Sequence, residues 1–113
     1  MQVLLNTDSH AADFGTLSTH VTAVVAEALT RHRNRITRVE VHLGDENGAK
    51  PGPDDKRCTM EARVDRRQPI AVTHYADTIE SAVQGAARSL AKAIDGVLGR
   101  GASARGPRDR RGG

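Results

Sequence analysis

Three stretches of the chain alternate between apolar and polar positions, the pattern typical of β-strands with one face on a core. They run from Ile36 to Leu43, from Lys56 to Val64, and from Pro69 to His74. Proline suits the first position of the last stretch, where a strand can do without a backbone donor. A shorter apolar stretch, Gln2 to Asn6, precedes them. We therefore predict four strands.

Between the first two strands, apolar residues recur every three and four positions, the spacing of a helix that packs one face on a core. Either Thr16 or Ser18 would form the N-cap, because both hydroxyls can accept from free backbone N–H groups. The helix should run to about Arg33, with Arg31 and Arg33 in its last turn. Its apolar stripe comprises Leu17, Val21, Val24, Val25, Ala28 and Leu29.

A second helix follows the last strand. Asp77 is its expected N-cap, and Glu80 three residues later completes a capping-box pattern. Gly99 is expected to close the helix. Its apolar stripe comprises Ile79, Ala82, Val83, Ala86, Leu90, Ala93, Ile94 and Val97.

The resulting order, β-α-β-β-β-α, predicts an α+β fold. The strands joined through the first helix should be parallel with a right-handed connection, and the next two connections are hairpin-like. Both helices need an apolar surface, so we expect a two-layer sandwich, a four-stranded sheet with two helices on one face. The opposite face would carry Arg38, Glu40, Glu61 and Arg63 and be wet. If sheet order follows the chain, the fourth strand is an exposed edge, which leaves a homodimer through that edge open.

Charge divides the 113 residues into a domain, residues 1–98, and a Gly/Arg-rich tail, residues 99–113. Five tail arginines stand against Asp109, a net charge of +4, so the rest of the chain sums to −1 within the total of +3. The tail has no apolar period and is expected to be disordered. It either attracts phosphate or serves only as a solubilising end. Gly44 to Asp55, with Pro51 and Pro53, is expected to form a long exposed connection.

Composition and motifs exclude several classes of protein. The sequence has no apolar run of the ~20 residues that span a bilayer and no secretory signal, so cytoplasm is the expected location. The single cysteine, Cys58, fits a reducing compartment. It falls on an apolar strand face, where a thiol usually behaves as a small hydrophobe. Motifs typical of enzymes are missing, and the five histidines lack ligand spacing. We expect no catalysis, metal, cofactor, small-molecule substrate or membrane partner.

Phe14 and Tyr75 are the only aromatic residues. Because readers of single-stranded nucleic acid stack bases on aromatic side chains, any RNA binding here should use phosphate and 2′-hydroxyl contacts to folded RNA. The candidate RNA-binding residues are Arg31, Arg33, Arg35, Lys56, Arg57, Arg88 and Lys92. Arg88 and Lys92 are four apart and should share one helix face, with Gln84 a turn earlier. Scattered arginines are also common in proteins that bind no RNA.

Three segments resemble the ribosome hibernation-promoting factor family, also called ribosome-associated inhibitors or sigma-54 modulation proteins. They are H-L-x-D-E-N-G from His42, D-K-R-C-x-x-E-A-R from Asp55 and P-I-x-V-T-H from Pro69. Lys92 also matches a basic family position. The chain departs from relatives in lacking Lys or Arg between Leu17 and Thr30, and in carrying Ser89 where they usually have lysine.

The resemblance implies a fold like that of double-stranded-RNA-binding domains and a function without catalysis. Members of the family bind the small ribosomal subunit and its rRNA, in the channel used by mRNA and tRNA, and hold ribosomes inactive in stationary phase or stress. This chain resembles the short form, which lacks the C-terminal dimerisation domain. A diverged paralogue acting as a protein-interaction or regulatory module is the alternative.

Overall fold

The computed structural model describes residues 1–7, 14–45 and 55–99. The elements are β1 (Gln2–Thr7), α1 (Phe14–Ala28), a 3-10 segment (Thr30–Arg35), β2 (Ile36–Asp45), β3 (Lys56–Val64), β4 (Ile70–Ala76), α2 (Ile79–Ile94) and a π-helical turn (Asp95–Gly99). The predicted order of strands and helices is confirmed. Most of the predicted long connection and, beyond Gly99, the predicted disordered tail lie outside the described residues.

The four strands form one sheet whose order, β1-β2-β3-β4, follows the chain. β1 pairs with β2 in parallel, and the other two pairings are antiparallel. Both helices cover one face, so the predicted α+β two-layer sandwich is confirmed. β4 is an edge of the sheet, as the chain order required; pairing of two copies through it stays a prediction.

The helix-covered face holds the core. Val41 of β2 lies opposite Met60 of β3, which in turn lies opposite Val72 of β4. Most of both stripes predicted for the helices packs on these strands, whereas Val97, beyond the end of α2, is 36 % exposed. The largest fully buried side chains are Leu29, Met60, Leu90, Ile94, Val21, Val25, Val39, Val41 and Val83.

The uncovered face of the sheet carries the predicted charges in rows of like sign. Glu40 lies opposite Glu61, and Arg38 lies opposite Arg63. Arg38 Nη2 lies 3.0 Å from Glu40 Oε2, so attraction along a strand offsets repulsion across the strands. This pairing leaves the face close to neutral.

The prediction for the first helix was wrong at both ends. α1 already begins at Phe14, so Thr16 and Ser18 lie inside it, and it ends at Ala28 rather than Arg33. The hydroxyl of Thr30 donates to the carbonyls of Ala26 and Glu27 at 2.9 and 3.0 Å. Those carbonyls lack helical partners at the end of the helix.

The predicted N-cap of α2 was also wrong by one residue. Thr78, not Asp77, has extended backbone angles, and its hydroxyl accepts from the backbone N–H of Ser81 at 3.0 Å. The capping box of Asp77 and Glu80 is therefore not formed, although Glu80 still lies in the first turn. There its negative charge favours the positive end of the helix dipole.

Both helices run in the same direction along the sheet. The end at which Ile36, Val64 and Ile70 lie is here called the Ile36 end; Asp45 and Lys56 define the opposite Asp45 end. α1 follows β1 and returns the chain to Ile36, while α2 follows β4 from the Asp45 end. The two helices therefore finish together at the Ile36 end, roughly 30 Å from the other end by strand rise.

Candidate nucleic-acid interface

The fold divides the seven candidate RNA-binding residues into two groups. Arg31, Arg33 and Arg35 lie in the 3-10 segment at the Ile36 end, and Arg88 and Lys92 lie in the second half of α2, which runs toward that end. The other two, Lys56 and Arg57, lie at the Asp45 end of β3. One continuous surface therefore contains five of the seven residues at most.

Asp95 joins the two basic segments at the Ile36 end. Arg31 Nη1 lies 3.4 Å from Asp95 Oδ2, while His32 Nε2 lies 2.6 Å from Asp95 Oδ1. The side chain of Arg31 is 76 % exposed and that of His32 only 16 %. The histidine contact is thus the shielded one, and the exposed arginine stays accessible to solvent and to a partner.

An open cleft of about 580 Å³ follows the second half of α2. Arg88 and Lys92 line it, together with Asp95, and both cations are exposed. Gln84, Arg88 and Lys92 all lie exposed on the same helix face, as the four-residue spacing predicted. A cleft with two cations on its rim suits an anionic group such as a phosphate.

Gly85 and His74 shape the inner wall of this cleft. A Cβ at position 85 would overlap the His74 imidazole. The glycine therefore lets α2 lie directly against the ring that projects from β4. Close approach of helix and strand is what brings His74 and Ser89 to the same cleft as Arg88.

Arg33 and Arg35 are exposed in the 3-10 segment. Arg33 shares a hollow of about 350 Å³ with Arg31, Thr30 and Asn34. The backbone carbonyl of Arg35 accepts from the N–H of Asp65 at 2.8 Å. That bond joins the 3-10 segment to the connection between β3 and β4.

Lys56 has a different environment from the other candidates. Its Nζ lies 3.1 and 3.2 Å from the two oxygens of Asp55, and 3.3 Å from Oδ2 of Asp45. The hydrogen bond to Asp55 and the neighbouring Asp45 raise the pKa of Lys56, against the opposing effect of burial. Two carboxylates surround one ammonium group, so this corner offers little positive charge to a polyanion.

Arg57 lies on the uncovered face of the sheet, opposite Tyr75 of β4. Tyr75 is 48 % exposed. Beside this pair the hydroxyls of Thr59 and Thr73 lie 3.0 Å apart. Arg57 therefore belongs to a mixed polar and aromatic surface, separated by the thickness of the sheet from the cleft beside α2.

The sequence-based prediction missed two further arginines at the Ile36 end. Arg66 and Arg67 form the turn between β3 and β4 and are exposed. The sequence shows that these two basic residues are adjacent, but it indicates only that they belong to a turn between two strands and not what lies beside them. The pairing of Ile36 with Val64 and the backbone bond between Asp65 and Arg35 place that turn beside the 3-10 segment.

Two other features of the described residues bear on chemistry. Residues 1–7, 14–45 and 55–99 contain no group of three or more His, Cys, Asp or Glu side chains arranged to hold a metal ion. Cys58 is fully buried, and burial raises the pKa of its thiol to about 12. Such a thiol is protonated at neutral pH and is a poor nucleophile.

No helix in the described part of the chain has the length and apolar character needed to cross a bilayer.

Two solved structures have this fold at low sequence identity. The N-terminal domain of Thermus thermophilus Protein Y is 11 % identical, with a TM-score of 0.63, and the match covers 85 % of this chain and 94 % of that one. A ribosomal subunit interface protein from Coxiella burnetii is 12 % identical, with a TM-score of 0.64, and the match covers 88 % and 99 %. No protein-family model and no curated protein matches the sequence. The likeness shows a shared fold.

Proposed function

We propose that this protein is a non-enzymatic, cytoplasmic inhibitor of translation that binds the small ribosomal subunit and its rRNA. It would act sterically, occupying the mRNA and tRNA channel under stress or in stationary phase, as the resemblance to hibernation factors implies. The observation that carries the proposal is the cleft beside α2, with Arg88 and Lys92 exposed on its rim. Arg31 lies near its Asp95 end.

The chemistry of this surface favours folded RNA. Guanidinium groups donate in a planar fork that matches phosphate oxygens, and an exposed ammonium adds charge without fixed geometry. Tyr75, 48 % exposed, lies on the opposite face of the sheet. Binding would therefore depend on backbone phosphate and 2′-hydroxyl groups instead of stacked bases.

The fold supports the same proposal at a coarser level. The Coxiella burnetii structure with this fold is by name a ribosomal subunit interface protein. The sequence segments that resemble hibernation factors lie largely in β2, β3 and β4, the scaffold on which α2 rests. The scaffold and the basic helix face together are the basis for assigning a ribosomal partner.

The test is co-sedimentation of the full chain with purified small subunits. We expect binding at about 50 mM salt that falls steeply by about 200 mM, because phosphate contacts release counterions. Arg88→Glu and Lys92→Glu should each weaken it. Arg63→Glu, the same charge change at an exposed arginine of the uncovered sheet face, is the matched control. Equal weakening by Arg63→Glu and Arg88→Glu would reject the assigned surface.

A protein-interaction or regulatory module is the second candidate function. Tyr75, 48 % exposed beside Arg57 on the uncovered face, favours it, because exposed tyrosines and arginines are enriched in protein interfaces. The connection from Gly44 to Asp55, most of which lies outside the described residues, is the other candidate for this role. Capture of a partner protein that resists nuclease and is abolished by Tyr75→Ser would favour the module over the ribosomal role.

A further inference from the structure

The connection between β3 and β4 has an unusual residue at its tightest point. The backbone N–H of Arg67 donates to the carbonyl of Val64 at 3.1 Å, which closes a four-residue turn. Arg66 occupies the third position of that turn with a φ of 61°. It is the one non-glycine residue of the described part with positive φ.

Turn geometry alone would select another residue at position 66. A turn with positive φ at its third position favours glycine or asparagine, because a larger side chain is strained there. The arginine side chain is exposed and extends into solvent from the tip of the turn. Because the Arg66 backbone is strained and its side chain is exposed, a role in binding explains the residue better than a role in stabilising the fold.

The turn does not stand alone at the Ile36 end. The carbonyl of Arg35 accepts from the N–H of Asp65 at 2.8 Å, so the 3-10 segment and the turn are held side by side. Four arginines from two segments of the chain are thereby gathered at one end, all of them exposed: Arg33, Arg35, Arg66 and Arg67. Asp65 is the acid within the turn, so the surface keeps a clear excess of positive charge.

The surroundings of these arginines are polar. Asn34 and Gln68 are exposed among them. Met1, 37 % exposed, lines the same hollow as Arg33, but one methionine is far smaller than the apolar centre that protein interfaces normally have. Forked guanidinium groups without an apolar centre and without stacking aromatics fit the phosphate backbone of a nucleic acid. A duplex offers phosphates at regular spacing to a surface built from two adjacent segments.

We infer that Arg66 and Arg67, with Arg33 and Arg35, form a second phosphate-binding surface for double-helical RNA at the Ile36 end, separate from the cleft beside α2. The inference rests on the proposed function in so far as the partner is RNA. It adds the place and the structural class of the RNA bound. Arg66 would bind phosphate, and this role would explain why a strained arginine occupies the position instead of glycine or asparagine.

The test measures binding of the full chain to a short RNA duplex as salt is varied. Arg66→Asn keeps a residue that tolerates positive φ and removes the charge, while Arg67→Gln removes the adjacent charge. In the double variant we expect affinity to fall about tenfold at about 50 mM salt, and the slope of log K against log salt to decrease by about one for each phosphate that the variant no longer neutralises. Arg63→Gln, a substitution of an exposed arginine on the uncovered face, is the control.

Thermal unfolding of the same variants separates binding from folding. Arg66→Asn should leave the melting temperature unchanged or raise it while weakening RNA binding, since strain is relieved and charge is removed. A lower melting temperature, or an equal reduction of RNA affinity in Arg63→Gln, would overturn the inference. So would a wild-type chain that fails to bind the duplex.

The outcomes also distinguish this inference from the proposed function. A chain that binds the duplex through Arg66 and Arg67 but does not sediment with small subunits contradicts the ribosomal role and supports the second surface. A chain that sediments through Arg88 and Lys92, with Arg66→Asn and Arg67→Gln matching the control, supports the ribosomal role and contradicts the second surface.

Discussion

The imidazole Nε2 of His32 lies 2.6 Å from Oδ1 of Asp95, a contact between residues 63 positions apart. It joins the 3-10 segment after α1 to the π-helical turn that follows α2. His32 is largely buried, with 16 % of its side chain exposed, so water replaces this contact poorly. The pair therefore adds a polar contact between the two helix ends to the apolar packing of both helices on the core.

A double-mutant cycle measures the strength of this pair. We expect His32→Ala and Asp95→Ala each to lower the free energy of unfolding, with a coupling of about 0.5–3 kcal/mol between them, the usual range for residues in direct contact. Urea unfolding of the four proteins gives the coupling. A coupling indistinguishable from zero would mean that the contact does not hold the two segments together.

The effect of Gly85→Ala on stability should change sign according to whether the His74 imidazole is present. Gly85→Ala places a methyl group against the imidazole, and overpacking of this kind typically costs about 1–3 kcal/mol of stability. In a His74→Ala background the same change should instead stabilise by up to about 1 kcal/mol, because alanine favours a helix more than glycine does. Urea unfolding measures both. Destabilisation of equal size in the two backgrounds would contradict the assigned contact.

Thr78, the observed N-cap of α2, should contribute more to stability than the adjacent Asp77. Thr78→Ala removes the acceptor for the Ser81 N–H and should cost about 1 kcal/mol of stability, whereas Thr78→Ser should retain most of it. Asp77→Ala is the matched control and should change stability by less than about 0.5 kcal/mol. Thermal or urea unfolding measures all three. A larger destabilisation in Asp77→Ala than in Thr78→Ala would restore the capping box expected from the sequence.

Cys58 predicts slow thiol chemistry and a defined pH response. Burial raises the pKa of its thiol to about 12, above the ordinary value of 9.0. At neutral pH a thiol reagent should label the native protein only as fast as it opens, and label it rapidly in denaturant. The protonated thiol favours the folded state fully below pH 9.0, and that contribution declines as pH rises further, because the unfolded chain then loses the proton first. Rapid labelling of native protein would contradict this burial.

The alternation in β2 and β3 was sufficient to predict which face of each strand is buried. Val41 and Met60 lie in the core and Glu40 and Glu61 on the uncovered face, as expected. Side-chain direction in a strand is fixed by local backbone geometry, so it survives any arrangement of the neighbouring strands. The predicted end of α1 was wrong because the hydrogen bonds of the Thr30 hydroxyl, which lie at the end of the helix, cannot be detected from the spacing of apolar residues.

The candidate interface was only partly accessible to sequence reasoning. Arg88 and Lys92 share a face because they are four residues apart on a helix, which is local geometry. Lys56 has the same formal charge, yet two carboxylates surround it. Asp55 adjoins it in sequence, but the approach of Asp45 depends on the register between β2 and β3.

Local patterns thus established the order of elements, their buried faces and the basic face of α2, because strand alternation and helical spacing act over a few residues. Long-range pairing established the rest. The contact of His32 with Asp95 forms only when the helix crossover and the sheet bring the ends of both helices together. Arg35 lies near the turn at Arg66 only because β2 and β3 pair in the observed register. Whether a charged side chain forms an ion pair or joins a cluster of like charges depends on contacts between segments that are far apart in the sequence.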